Sequence, residues 1–338
     1  MQLDHIHDRL RALGAKPRHA QLLLRAWTRS LPLDSGPQRA QDFLPRTLRD
    51  ALPALAGELA DLARLRSAHA GADGSERLLV ELADGQTVES VLLPRDGLCV
   101  STQAGCAVGC VFCMTGREGL VRHLGSAEIV AQVALGRARR VVRKVVFMGM
   151  GEPAHNLDNV MEAIALLGTE GAIGHKNLVF STVGDRRVFE RLPQGPVKPA
   201  LALSLHTTKA DLRAELLPRA QKFDPAELIE LAQSYSRATT YPIQYQWTLL
   251  EGINDGDDEL DRLAELLRGH YAMVNFILWN QVDGLPHTRT PEERAREIIR
   301  GMMQRGVLAK LRVSAGQDVD GGCGQLRARE LSRPREAS

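Results

Sequence analysis

The chain has no apolar run of membrane-spanning length, so an integral membrane protein is not expected. The stretch from Met1 to Leu10 is charged and lacks an apolar centre, which excludes a secretory signal there. No internal repeat and no low-complexity segment is present, so repeat arrays and compositionally disordered chains fall away. A dominant sign of charge is missing as well. Lysine and arginine total 43 against 41 aspartates and glutamates, a net +2, so any nucleic-acid surface must be a local patch. What remains is an ordinary globular balance, 44% hydrophobic and 25% charged. At 338 residues it is long enough for one large domain or two smaller ones. The expected location is the cytoplasm, where thiols stay reduced and cysteine clusters serve metals or catalysis rather than scaffolding.

Cysteine is scarce, with Cys99, Cys106, Cys110, Cys113 and Cys323 making up all 5, yet three of them fall in one short stretch. That stretch is Gly105-Cys106-Ala107-Val108-Gly109-Cys110-Val111-Phe112-Cys113. Thiolates are soft ligands, and a compact trio suits an iron–sulfur cluster or zinc. Either normally takes four ligands. No fourth cysteine follows at short spacing, so one coordination position is open to another group. Zinc would require a His or Asp from elsewhere in the chain.

Residues 1 to about 75 read as a helical accessory domain, because Leu52, Leu55, Leu59 and Leu62 recur at helical spacing. Its Arg9, Arg11, Lys16, Arg18 and Arg25 suit a solvated face or an RNA contact. Residues 76–97 read as a β-hairpin, with strands over 78–82 and 88–93 around Asp84-Gly85. Glu89 lies on its second strand, where a solvent-facing carboxylate is the ordinary expectation. Residues 98–315 alternate strands and helices. Strands are expected at 99–103, 145–148, 177–181, 200–205, 243–249, 273–278 and 309–313. Helices are expected at 126–140, 157–167, 185–191, 225–237, 257–267 and 291–305. Repeated βα units imply parallel strands with right-handed crossovers, and six or more favour a partial or full barrel over an open sheet. The fold class is therefore α/β, a partial (βα)6-type TIM barrel with functional groups at the strand C-termini. Residues 316–338 form a glycine-rich loop carrying Cys323 and a polar tail, which is expected to fray from Arg327 onward.

The spacing Cys106-x3-Cys110-x2-Cys113, with Phe112 before the last cysteine, resembles the cluster loop of radical S-adenosylmethionine (SAM) enzymes. The resemblance implies that the three thiolates hold a 4Fe-4S cluster, with SAM on the fourth iron. Gly149-Met150-Gly151-Glu152-Pro153 follows the next strand, and glycines there let backbone approach a ligand. It resembles the loop that receives the SAM amino group, with Gly151 and Glu152 as contacts. Ser181, Ser204, Leu205, His206 and Asn280 end later strands and complete the SAM-binding set that the resemblance implies.

The elements VESVLLP, LCVSTQAGCAVGCVFC, MGMGEP, STVG, LSLH, GIND, ILWN and GCGQL then run in order from Glu89 to Leu326. Together they resemble the RlmN/Cfr family of RNA adenosine methyltransferases. That resemblance implies methylation of an adenine ring carbon, C2 in preference to C8, with two SAM molecules per turnover. Cys323 would carry the methyl group, Cys99 would resolve the RNA adduct through a transient disulfide, and Glu89 would accept a proton. The implied partners are ribosomal or transfer RNA and a reductant such as flavodoxin or ferredoxin, and the expected state is a monomer. Arg137, Arg139, Arg140, Arg143, Lys144, Arg186 and Arg187 are candidate phosphate contacts. Ala154-His155-Asn156 and Leu278 depart from the family pattern on expected substrate surfaces, which points to a paralogue. Another radical SAM enzyme, such as an activase or small-molecule enzyme, would need neither Cys99 nor Cys323. A non-catalytic iron–sulfur RNA-binding or redox-sensing protein would bind without cleaving SAM.

Overall fold

The computed structural model describes residues 1–36, 40–117, 119–282, 284–312, 315, 322 and 324–332, and Cys323 lies outside the described residues. The chain opens with helices α1 (Leu3–Ala12), α2 (Pro17–Thr28), α3 (Ala40–Phe43), α4 (Arg46–Asp50) and α5 (Leu52–Ala60). Their apolar stripe, including Leu3, Ile6, Leu10, Leu24, Leu48 and Leu55, joins the main core. The helical reading of 1–75 is corrected beyond Ala60. Arg64–Ala70 is strand β1, because the apolar helical spacing stops at Leu62 and the backbone pairs with the next strand.

Strands β2 (Glu76–Glu81), β3 (Thr87–Leu93) and β4 (Gly97–Cys99) follow in antiparallel register. The expected strand at 99–103 divides in two. After Cys99 the chain leaves the sheet, and Thr102 and Gln103 donate to the Met150 carbonyl instead of extending the ladder. Gln103–Gly105 becomes β5, paired with β6 (Leu120–His123) beyond the short helix α6 (Met114–Arg117).

From there helices and strands alternate: α7 (Ser126–Arg139), β7 (Lys144–Phe147), α8 (Leu157–Thr169), β8 (Leu178–Thr182), α9 (Arg186–Arg191) and β9 (Ala200–Ser204). Then come α10 (Ala210–Leu216), α11 (Pro225–Thr239), β10 (Ile243–Leu249), α12 (Asp257–Leu266), β11 (Ala272–Leu278), α13 (Glu292–Gln304) and β12 (Ala309–Arg312). The main sheet runs β1-β2-β3-β4-β7-β8-β9-β10-β11-β12. Every neighbouring pair from β4 onward is parallel. β1 and β12 are the two ends of this order, so the sheet is the expected partial barrel, extended by a three-stranded antiparallel wing.

Period-two alternation sorts β10 cleanly. Ile243, Tyr245 and Trp247 are fully buried in the core, while Gln244, Gln246 and Thr248 line the barrel interior. Helix α7 is covered on nearly all sides, because it lies between the sheet and the N-terminal helices. The Leu3 N–H donates to Ser126 Oγ at 2.8 Å, tying the accessory helices to the barrel. Gln325–Ser332 forms helix α14 against β3 and α6, where fraying was expected. Leu326 is fully buried beneath it, and Glu89 accepts from the Arg327 N–H at 2.8 Å, a carboxylate at a helix N-terminus.

Candidate active site

The Gly105–Cys113 stretch caps the C-terminal end of the barrel and is fixed by its backbone. Gly105 has φ +80°, and a Cβ there would collide with the Gly119 carbonyl, so only glycine fits. The Cys106 N–H donates to Gly119 at 2.9 Å, the Val111 N–H to Leu216 at 3.1 Å, and the Trp279 indole to the Phe112 carbonyl at 2.8 Å. Cys106, Cys110 and Cys113 line one cavity of about 740 Å3. Burial raises all three thiols, Cys106 to about 12, and each also feels at least one acidic neighbour. Iron must therefore displace protons to bind. Among the described residues no three His, Cys, Asp or Glu side chains gather around a single metal ion. A cluster instead spreads three thiolates over three irons, which suits a trio arranged around a cavity.

The next loop adds Glu152. Gly151, at φ +103°, packs so tightly that a Cβ would lie 2.6 Å from the Gln103 side chain. Glu152 is buried and accepts from the Ala154 and Val183 N–H groups, each at 3.0 Å. Burial pushes its carboxyl up to about 7 against these stabilising bonds. Ser181, Ser204 and Asn280 line the same cavity at the ends of β8, β9 and β11.

His206 follows β9 with φ +65°. Its Nδ1 accepts from the Thr248 N–H at 3.0 Å, leaving Nε2 as the protonated nitrogen. Burial, reinforced by Arg213, lowers it to about 3, so the ring is neutral. The Phe112 ring meets it edge-on at 4.9 Å. Leu205 does not reach the cavity: its side chain is fully buried in the core, and its N–H donates to the Gln246 carbonyl.

Cys99 ends β4 on the cavity wall, surrounded by Val91, Val146 and Val179, and burial raises its thiol to about 12. The residues flanking Cys323 come to the same place. Gly322 lines the cavity, and a Cβ on Gly324 would lie 2.5 Å from Thr115 Oγ1, beside the cluster loop.

Glu89 is not solvent-facing; it is 2% exposed and pairs with Arg77 at 3.1 Å. Arg77 also donates to the carbonyls of Gly322 at 3.3 Å and Ala315 at 3.2 Å. Sequence reasoning missed Arg77. The available signal was opposite charges on one face of the hairpin, where Arg77 lies opposite Val91 and Leu79 opposite Glu89. Gln246, Thr248 and Arg312 were missed as well, all on the inner face of the barrel.

The basic residues sort differently from expectation. Arg139 pairs with Glu76, Arg143 with Asp96, Arg186 with Glu227 and Arg187 with Asp185. Arg137 and Arg140 hold backbone carbonyls, including those of Gly171 and Gly74. In the N-terminal helices Arg9, Arg11 and Arg25 pair with Glu58, Asp8 and Glu170. Lys144 is different, because it lines the cavity. Of the two departures from the family pattern, Ala154 is core and Leu278 lines the cavity.

Residues 100–267 match the model of the radical SAM superfamily. A protein from Leptothrix cholodnii, named a probable RNA methyltransferase, is 71% identical over 98% of this chain and 96% of its own length. This chain belongs to the radical SAM superfamily. A second relative, from Aromatoleum aromaticum and also named a probable RNA methyltransferase, is 70% identical over the whole chain and 97% of its own. The crystal structure of a radical SAM methyltransferase from Sphaerobacter thermophilus superposes on this radical SAM protein with a TM-score of 0.84. The two are 35% identical, over 97% of this chain and 98% of the other. The superfamily implies a 4Fe-4S cluster and SAM, and the thiol trio with its open coordination position fits both.

Proposed function

We propose that this protein methylates a ring carbon of adenosine in ribosomal or transfer RNA, C2 in preference to C8. The observation that carries the reading is one cavity lined by Cys106, Cys110, Cys113, Cys99 and Gly322, the last being the neighbour of Cys323. The relatives named probable RNA methyltransferases support the substrate class. The order of motifs through GCGQL supports the choice of adenine chemistry.

Cys106, Cys110 and Cys113 hold the cluster, and Gly151, Glu152, Ser181, Ser204, His206 and Asn280 form the surroundings of SAM, with Leu205 packed in the core behind them. Bound there, cluster and SAM supply an electron and a 5′-deoxyadenosyl radical able to remove hydrogen from a carbon.

The chain's own residues then divide the work. The Cys323 thiolate accepts a methyl group from a first SAM by displacement, releasing S-adenosylhomocysteine. A second SAM serves radical formation, so each turnover uses two. After the S-methylene carbon has joined the adenine ring, Glu89 accepts the proton leaving the adduct carbon. Glu89 stands near enough to Cys99 and Cys113 to disfavour their thiolates, which supports its place beside the reacting groups. The adduct's unpaired electron would return to the cluster. The Cys99 thiolate then attacks the Cys323 sulfur, and the carbon–sulfur bond breaks with its electron pair left on the methylene carbon. That carbon takes up a proton to become the methyl group, and a Cys99–Cys323 disulfide forms as methylated RNA leaves. An external reductant such as flavodoxin or ferredoxin would supply the cluster's electron and the two electrons that return Cys99 and Cys323 to thiols. The protein works as a cytoplasmic monomer, and among the described residues no helix is long and apolar enough to cross a membrane.

Mass spectrometry of RNA from cells lacking the protein tests this reading, with complementation by wild type, Cys323→Ala or Cys99→Ala. One methyladenosine is expected to disappear and to return with wild type alone, while Cys99→Ala accumulates an RNA–protein crosslink. Full methylation by either variant would sink the mechanism.

A further inference from the structure

The cavity has a second end. Lys144 opens strand β7, whereas Glu152 follows that strand's other end. Three residue steps at about 3.3 Å set Lys144 roughly 10 Å below the strand's exit toward the cluster loop. Besides Arg77, three cations line the cavity: Lys144, Arg312, which ends β12 and stands close to Lys144, and Arg95 in the turn before β4. Lys310, on the same strand as Arg312, stands close to Lys144 as well.

None of these four has a carboxylate partner among the described residues. Arg312 uses Nε on the neutral Asn275 Oδ1 at 3.1 Å, which orients its guanidinium without neutralising it. Burial lowers the Lys144 pKa, and Arg312 and Lys310 lower it further. Two described acids share the wall, and neither makes an ion pair with these cations. Glu152 is at the cluster end, and Asp73 accepts from the backbone and hydroxyl of Ser75. Like charges gathered with no ion-pair partner among the described residues repel one another, and a bound anion relieves that repulsion. The contrast with the other arginines is direct, since those proposed from sequence alone are occupied by partners of their own.

We infer that Lys144 and Arg312, with Arg95 at the rim, form a seat for a phosphodiester group of the substrate RNA. This rests on the RNA reading above and adds the direction of entry. The carboxylate of SAM is not the anion, because the family chemistry places it on the cluster, at the opposite end. SAM carries no phosphate. An enzyme acting on a base takes that base out of its stack into a pocket. A base directed at the thiols leaves its own ribose and phosphates behind it, at the end where the cations lie. The cluster loop caps the other end, so the cationic end is the route in.

The test measures affinity of the reconstituted protein for a mixture of ribosomal and transfer RNA from cells lacking it, across a salt series. Lys144→Ala and Arg312→Ala are each expected to weaken binding several-fold, and the double variant at least 10-fold. Each single variant should also lower the slope of log affinity against log salt by about 1, as loss of one phosphate contact does. Arg143→Ala, which removes a side chain paired with Asp96, is the control and should stay within two-fold. Cluster absorbance and the thermal transition verify that each variant is folded. Wild type that binds while the double variant binds as well, or weakens with an unchanged salt slope, overturns the phosphate seat alone. Wild type with no affinity for any RNA overturns the RNA reading and the seat with it.

Discussion

The two ends of the cavity rest on opposite electrostatic conditions. At the cluster end burial drives titratable groups toward neutrality: Cys106 rises to about 12, Glu152 to about 7, and His206 falls to about 3. Arg213 is the exception there. It stays cationic at about 10, and its guanidinium is committed to the Val183 and Ser204 carbonyls. At the other end Arg95, Lys310 and Arg312 are exposed to solvent. A dry, neutral end suits soft thiolate ligands. A wet, cationic end suits a polyanion. One cavity can therefore hold a nucleic acid by its backbone while keeping its charge away from the reacting carbon.

Breaking the cluster end should have the largest effect. Cys106→Ala is expected to remove the visible absorbance of the reconstituted cluster and lower methylation to background, with iron per chain as the check. Gly105→Ala should come next. It forces a side chain into a left-handed position and against the Gly119 carbonyl, a strain of about 1–3 kcal/mol before the collision is counted. Cluster occupancy should fall several-fold while the far-ultraviolet circular dichroism is retained; full occupancy would show that the loop can yield there.

Arg77 tests what joins the hairpin to the Cys323 segment. Arg77→Met leaves Glu89 buried without its cation, which typically costs about 3–5 kcal/mol. The double variant Arg77→Met/Glu89→Gln should recover much of the thermal stability. It should not recover methylation, because the Gly322 and Ala315 carbonyls lose their donor and Glu89 can no longer accept a proton. Recovery of methylation with stability would reduce Arg77 and Glu89 to a structural pair.

The legibility of these regions in the sequence follows from how each is built. The barrel strands were readable because each is a short apolar run followed by a turn, and the thiol trio because its ligands are contiguous. The join at β4 and β5 was not readable, since Val100 is as apolar as a strand residue should be. Val100 still donates to Val146 of β7, and the chain turns away beyond it because the Met150 carbonyl, nearly fifty residues on, draws the Thr102 and Gln103 N–H groups. Strand β1 was hidden by a polar, largely exposed sequence whose pairing partner decides its form. The basic residues were least readable of all. Arg139 and Lys144 look alike in sequence, and only the fold supplies Glu76 to one and a cavity wall to the other.

The smallest effect at neutral pH, and the one that separates burial from chemistry, belongs to His206. Its folded pKa of about 3 lies below the ordinary 6.5, so the unfolded chain takes up a proton that the folded chain refuses. Stability contributed by the neutral ring is complete above about pH 6.5 and is lost as pH falls from there toward 3. His206→Gln keeps an acceptor for the Thr248 N–H but has no proton to gain, so its stability should decline less over that acid range than wild type. Denaturant midpoints measured from pH 7 to pH 4 give the comparison. Parallel curves would mean that the histidine is protonated in the folded protein, and the neutral character of the cluster end would then rest on Glu152 and the thiols alone.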